Sequence, residues 1–391
     1  MRITALILAL VVCLGTNALA WVQESSENVS KILEPIRKVG KSGLGNLEAQ
    51  KAWKQIANLS PDALPEVLAA MDASQPVLSN WLRSAINAIV EKANRDTKAL
   101  PLEKITALVK DTSKPALGRK LAFEILQSAD KDKAQALIPS FITDPAAELR
   151  REAIALLIEE GSTQKKGKKD SEAKATYRKA FMSASDKDQV DTLAKELKGL
   201  GETVDLPAHF GFVRTWYLVG PFDNTKNKGF DMPYPPEKDV KLDASYEGKE
   251  GTIKWVDFTT EDSYGIIDIN KVLGKKKEAT AYAFTRINSP AEGTVYVRAG
   301  CITSLKIFHD GKQIFARDEY HHGMTMDQHS APIHLKKGVN DILLKICQNN
   351  QTESWAQKWE FQLRLTDFAG VKIPYTIAKQ EGSAKYCTPS I

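Results

Sequence analysis

Along this chain apolar residues first recur at three- and four-residue spacing and then, beyond about residue 211, at every second position. The early pattern is clearest in "QPVLSNWLRSAINAIVEKA" from Gln75, "KPALGRKLAFEILQSAD" from Lys114 and "DPAAELRREAIALLIEEG" from Asp144. Each opens on a polar residue and a proline and continues as an amphipathic helix; a proline at the helix start lacks an N–H only where none is needed. In the third, Leu149, Ala153, Leu156 and Leu157 predict one apolar face, and Asp144 can cap the first free amides. No such helix buries its face alone. Intervening helices in "PDALPEVLAAM" and "DKAQALIPSFI" are therefore expected to stack with them in a curved array. A helical hairpin over 172–203 follows, ending at Gly199 and Gly201.

From Thr215 the period becomes two. "TWYLVG", "IKWVDF", "TAYAFTRI", "TVYVRAG", "SLKIFH", "KQIFA", "DILLKICQ" and "KWEFQLRLTD" read as strands separated by turn residues. In the last, Trp359, Phe361, Leu363 and Leu365 alternate with Glu360, Gln362 and Arg364, which predicts one buried and one wet face. Asp310-Gly311 predicts a two-residue hairpin turn with positive φ at both positions. Gly220-Pro221 reads as a turn, and Trp216 and Phe222 as core residues. About eight strands with no helix between them predict an antiparallel β-sandwich.

The fold class is thus multidomain, α then β. The segments are a signal peptide at 1–20, an α-helical repeat region at 21–160, a Lys-rich linker at 161–171, the hairpin at 172–203, a β-sandwich at 211–370 and a C-terminal tail at 371–391. The signal reading rests on Arg2, the apolar run Ala5 to Gly15 and the Ala18-Leu19-Ala20 ending, with Val12 too bulky before Cys13 for a lipidation signal. It implies a secreted or periplasmic protein, and no later segment is apolar for long enough to span a membrane once the signal is cut. Without Arg2, 53 Lys and Arg face 49 Asp and Glu, with the signs interspersed. That balance excludes a nucleic-acid-binding surface, which needs a basic stripe. Cys301, Cys347 and Cys387 leave two alternatives open: one bridge with a free thiol, or no bridge.

Two resemblances add to this reading. The third helical copy, D-P-x-x-E-L-R-R-E-A-x-x-x-L, resembles a HEAT repeat, and the similarity extends weakly over 45–160; the hairpin carries a TPR-like A-x-x-x-Y-x-x-A pattern. The combination "WYLVGPFDN", "YPPE", "AYAFTRI", "SLKIFHDGKQIF", "HLKKGVNDILLKICQ" and "WEFQLRLTDFAG" resembles a galactose-binding-like, glycosidase-associated jelly-roll domain of bacterial secreted proteins. Asp310 stands where that family usually has Asn, while Gly311, Lys312, Leu335, Gly338, Asn340, Leu343, Leu344 and Lys345 match its pattern. The resemblance implies a jelly-roll β-sandwich and carbohydrate binding.

Chemistry is concentrated in one stretch, "RDEYHHGMTMDQHSAPIH" from Arg317 to His334, which holds four of the six histidines and is expected to be a loop. A metal site would use His321 or His322 with His329 and a carboxylate, but the spacing fits no closed site, and neither a metal nor another cofactor is expected. The chain has no G-x-S-x-G, no H-E-x-x-H and no other nucleophile motif, which points away from an enzyme. A sugar site asks for rings against the apolar face of the sugar and amides or carboxylates for its hydroxyls. Tyr320, His321, His322, Asp327, Asn349 and Trp355 supply these. The expected function is non-enzymatic binding of a carbohydrate or cell-surface polysaccharide through the sandwich. The alternatives are a scaffold holding a protein partner on its helical face and, more remotely, a metal-dependent hydrolase.

Overall fold

The computed structural model describes residues 29–378, so the signal peptide expected at 1–20 and Cys387 lie outside the described residues. The chain divides into two compact units between Gln189 and Val190, inside the helix Lys187–Gly199.

The first unit is helical. A helix over 29–37 is followed by Asn46–Ala57, Leu64–Ala69, Pro76–Arg95, Leu102–Lys110, Ala116–Ala129, Lys131–Leu137, Ala147–Lys166 and Asp170–Ser183. The three proline-led stretches form the helices beginning at Pro76, Ala116 and Ala147. One apolar core extends from Val29 through Leu82 and Phe123 to Ala153, and Phe123 meets Phe141 edge-on at 5.3 Å. Helix Ala116–Ala129 lies so close to Leu64–Ala69 that a Cβ on Gly118 would stand 2.0 Å from the Leu68 carbonyl oxygen. Asp144 is buried and does more than cap. It accepts from Ala146 N at 2.8 Å and from both terminal nitrogens of buried Arg119, which also donates to Val109 O.

Two expectations fail here. The apolar face of Ala147–Lys166 buries Leu149, Ala153 and Ile154, while Leu156 is exposed. The helix is contacted both by the turn Ile138–Thr143 and by Asp170–Ser183, which rotates the buried side away from Leu156. The stretch 161–171 is no extended linker. Helix continues to Lys166, a turn occupies 167–169 and the next helix starts at Asp170, with Gly161 against the Tyr177 ring.

The second unit carries the strands β1 (Thr215–Asp223), β2 (Ser245–Gly248), β3 (Gly251–Lys254), β4 (Val256–Thr259), β5 (Ile267–Asp268), β6 (Ala279–Ser289), β7 (Gly293–Cys301), β8 (Ser304–His309), β9 (Lys312–Arg317), β10 (His329–Leu335), β11 (Gly338–Gln348), β12 (Glu360–Thr366) and β13 (Thr376–Ile377). One antiparallel sheet has the order β4-β1-β6-β11-β8-β9 with β13 added on β6, the other β10-β7-β12-β5, and β2 and β3 form a small hairpin. Between the two larger sheets lie Trp216, Ala281, Ile307 and Leu344 from one side and Val297, Ile333, Phe361 and Leu363 from the other. Asp310 (φ 48°) and Gly311 (φ 77°) make the expected hairpin turn. Gly220-Pro221, expected as a turn, is a cis peptide inside β1 where the register with β6 shifts. Within the expected tail, Ile377 of β13 pairs with Ile287.

Both sheets also bury part of their outer faces. Over β6 and β11, Val219, Phe222, Tyr282, Phe284 and Leu343 form a second core with Tyr234, Tyr246 and Trp255 from the segment following β1. Lys345 sits fully buried beneath that cover. Its Nζ donates to Glu237 Oε1 at 2.8 Å and to Met232 O at 2.7 Å, and Glu237 also takes the Tyr282 hydroxyl. The wet face expected on β12 is likewise covered. Gln362 and Arg364 are buried because residues 324–327 lie across them, with Thr325 O and Met324 close above Gly300.

Cys301 belongs to the core between the sheets, whereas Cys347 follows Ile346 of that core and points to the opposite face of β11. Both are free and buried, and burial pushes the thiols up to about 12 and about 11. A Cys301–Cys347 bridge is therefore excluded by the sheet between them.

Candidate functional site

The connection from β11 to β12 builds the site. Asn349 follows β11 directly and is buried; its Oδ1 accepts from Gln351 N at 3.1 Å, turning the chain, and its Nδ2 donates to Gln351 Oε1 at 2.7 Å. Gln357 Nε2 donates to Thr352 O and Glu353 O, closing the loop around the short 3-10 turn Ser354–Ala356. Two side chains brace it from outside. Lys277 Nζ donates to Ala356 O at 2.7 Å, and Asn270 Nδ2 to Gln357 O at 3.0 Å. Burial lowers the Lys277 pKa. At the turn stands Trp355, 57% exposed.

The loop after β9 meets it. His321 takes a left-handed conformation (φ 55°), places its ring edge-on to Trp355 at 5.7 Å and donates from Nε2 to Asn349 Oδ1 at 2.9 Å. Its Nδ1 is buried and without a partner among the described residues. Tyr320 is next to it. Its hydroxyl accepts from Asn224 Nδ2 at 3.2 Å, and burial pushes it up to about 12. Asn224 also donates to Gln348 O, and its backbone N–H to Glu278 O, while Glu278 N–H donates to Asn349 O.

Four of the six residues singled out from the sequence therefore share one end of the sandwich: Tyr320, His321, Asn349 and Trp355. Their roles differ from the expectation. The polar groups of the first three are turned inward and hold the loops, and Trp355 is the one that faces solvent. His322, next to His321, turns instead to Gln328, and Asp327 lies on the outer face of β7 and β12. Asp327 accepts from Arg364 Nε at 2.7 Å and Nη2 at 2.5 Å, and from Arg298 Nη1 at 3.3 Å, which pins the loop to the outer face of β7 and β12. Its oxygens are spoken for by protein cations.

The loop expected from Arg317 to His334 ends early, because β10 begins at His329 and pairs with β7. His322 and His329 approach edge-on at 6.0 Å. Gln328 decides the state of His322: its Oε1 accepts from Cys301 N, so its Nε2 is the donor to His322 Nδ1 at 2.7 Å. Nδ1 of His322 is thereby occupied. Among the described residues no three His, Cys, Asp or Glu side chains gather in a way that could hold a metal ion. His329 has its pKa lowered, by burial first and then by the neighbouring His322 and Arg317 charges.

Sequence reading missed Asn224, Lys277, Asn270 and Gln357. Asn224 was visible in "GPFDN" but nothing there announces a partner 124 positions later.

No family model and no curated protein matches the chain. Among solved structures, a β-glucuronidase from an uncultured Clostridium sp. is similar at 12% identity and a TM-score of 0.27, covering 40% of this chain and 29% of that one. A β-glucuronidase from Ruminococcus gnavus matches at 12% and 0.22, covering 39% and 29%, and a GH31 α-xylosidase from Xanthomonas citri at 10% and 0.19, covering 29% and 15%. This chain spans less than a third of each of those proteins, and likeness at this level carries neither fold nor activity across.

Proposed function

We propose that this is a secreted or periplasmic, non-enzymatic protein that binds carbohydrate at the end of its sandwich, with Trp355 as the stacking platform. On this reading the sandwich is a galactose-binding-like jelly roll and the helices a HEAT-like array. The observation that carries the proposal is an indole left 57% exposed on a loop closed by its own hydrogen bonds. Leaving so much of a tryptophan in water forgoes on the order of 2–3 kcal/mol of burial. His321, Asn349, Lys277 and Gln357 hold the loop where it is. A fixed aromatic face with an adjacent rim of Gln351 and Glu353 suits the apolar side of a pyranose and its hydroxyls. Asn349 and His321 position the platform rather than touch the sugar, since their amide and Nε2 are already bonded to one another.

Metal-dependent hydrolysis gains no support from His322, whose Nδ1 is taken by Gln328. The test is a glycan-array screen of the full chain followed by titration of the best binder against Trp355→Ala. Stacking predicts a loss of about 1–3 kcal/mol in affinity, by analogy with ring stacking on bases, with an unchanged melting temperature. An undiminished affinity in Trp355→Ala would sink the platform, and product release from any bound glycan would sink the non-enzymatic reading.

A further inference from the structure

The segment 318–328 joins β9 to β10 and is tied down along its length. Near its start Tyr320 and His321 bond Asn224 and Asn349, and near its end Asp327 takes Arg364 and Arg298. Between these ties Gln328 closes the segment on itself. Its Oε1 accepts from Cys301 N at 3.2 Å, and its Nε2 donates to Gly323 O at 3.2 Å and to His322 Nδ1 at 2.7 Å. The backbone settles which way this carboxamide faces. Cys301 N–H can only donate and Gly323 O can only accept, so exchanging the two ends of the amide would set donor against donor and acceptor against acceptor.

His322 Nδ1 is therefore an acceptor, and it can be one only while it carries no proton. A proton there would face the Gln328 N–H, and Gln328 cannot turn round without giving up Cys301 and Gly323. His322 is exposed, so a proton reaches it without any unfolding. Around the pair His322 and His329, whose rings are 6.0 Å apart, stand Glu319, whose charge favours a proton, and Arg317, whose charge opposes one. Gln328 and Cys301 bring no charge. The backbone gives the bond its consequence. His321, Gly323 and Asp327 are left-handed, with φ of 55°, 81° and 60°. His321 and Asp327 are not glycine, and such residues keep that conformation only where their neighbours enforce it. His321 is also the residue whose ring stands edge-on to Trp355. We propose that 318–328 is a proton-released latch on the Trp355 loop, closed while His322 is neutral and freed in mild acid by a proton on Nδ1, which lets His321 leave the indole. Release of a sugar by this route rests on the carbohydrate reading of Trp355; the latch itself does not.

Hydrogen exchange on the full chain at pH 7.5 and 5.5, corrected for the intrinsic pH dependence of amide exchange, reads the latch with no ligand present. A histidine that titrates near its ordinary value of about 6.5 once the segment is open predicts a loss of protection of up to about tenfold over 318–328, with β6 and β11 unchanged. His322→Asn puts a carbonyl oxygen near the place of Nδ1 and has no proton to take up, so its protection should stay level between the two pH values. That comparison also separates His322 from Asp318, whose carboxyl is raised by burial and by Asp231, and from His329. Gln328→Glu keeps one oxygen for Cys301 N and offers the other to protonated His322, so acid should no longer loosen the segment. Equal loss of protection in the wild type and His322→Asn, or none in the wild type, overturns the latch. With the best glycan from the array, affinity should fall from pH 7.5 to 5.5 in the wild type and hold in His322→Asn; a fall of the same size in both overturns the hold of the latch on Trp355. Absence of glycan binding at both pH values would sink the carbohydrate reading alone, since the exchange result stands without it.

Discussion

In the helical unit charged side chains find partners one or two helices along the chain, while in the sandwich they find them on segments folded back over a sheet. Arg119 bonds Asp144, Lys120 bonds Glu152 and Arg151 bonds Asp186 and Asp188, each within 40 positions. Lys345 reaches Glu237 across 108 positions, and Asn224 reaches Gln348 across 124. A stack of helices brings together mainly elements that are near each other along the chain. A sandwich leaves two outer faces that its own loops can cover, and what they cover becomes core whatever its polarity. The residues that hold the loop of Trp355 follow the same division, coming from separated stretches at Asn270 and Lys277, at His321 and at Asn349 to Gln357.

The sharpest way to break this comparison is to remove one buried cation from each unit. Lys345→Met strands Glu237 and Arg119→Met strands Asp144, each expected to cost about 3–5 kcal/mol because the remaining carboxylate stays buried without its partner. Denaturant unfolding of the full chain should show the loss in one transition for each variant, and a different transition in the two cases. A single transition displaced equally by both would mean that the units unfold together.

Asp327→Asn comes next. It removes the charge that Arg364 and Arg298 share, and should destabilise by about 1.5–3 kcal/mol, the range for hydrogen bonds to charged groups. Hydrogen exchange should speed up over 322–328 before it does elsewhere in the sandwich. Exchange unchanged in that stretch would show that Asp327 does not pin the loop.

Gly118→Ala tests how tightly the helices stack. The added methyl meets a backbone oxygen rather than a movable side chain, so overpacking of about 1–3 kcal/mol is expected in the helical unit alone. A neutral result would show that the two helices can slide apart freely.

The smallest effect is that of pH on His329. Its folded pKa lies below the ordinary histidine value, so the unfolded chain takes up a proton first as pH falls. Stability from this group is full above about pH 6.5, declines as pH drops below it, and stops declining once pH is under the folded pKa. Melting curves between pH 7.5 and 5 should show a decrease that is smaller in His329→Gln. An equal decrease in both would assign the pH response to other groups.

Much of the architecture was legible, and for local reasons. The helix starts at Pro76, near Pro115 and near Asp144 and the turn at Asp310-Gly311 are all set by residues within a few positions of each other. The failures have a common cause. Leu156 was placed inside and is out because a second helix contacts Ala147–Lys166 from the side. Gln362 and Arg364 were placed in water and are buried because 324–327 cross them. His329 was placed in a loop and is a strand residue because β7 offers it a partner.

The candidate site divides in the same way. That rings and amides crowd Tyr320 to Asp327 and the stretch from Asn349 to Trp355 is a property of the sequence, which also determined where helices give way to strands. Which of them would face water was decided by tertiary structure. Asn349 and His321 are bonded to each other, Asp327 is held by two arginines, and Trp355 and His322 remain exposed. Side-chain type and spacing follow from the chain itself, but exposure depends on what another segment, often a hundred positions away, lays on top.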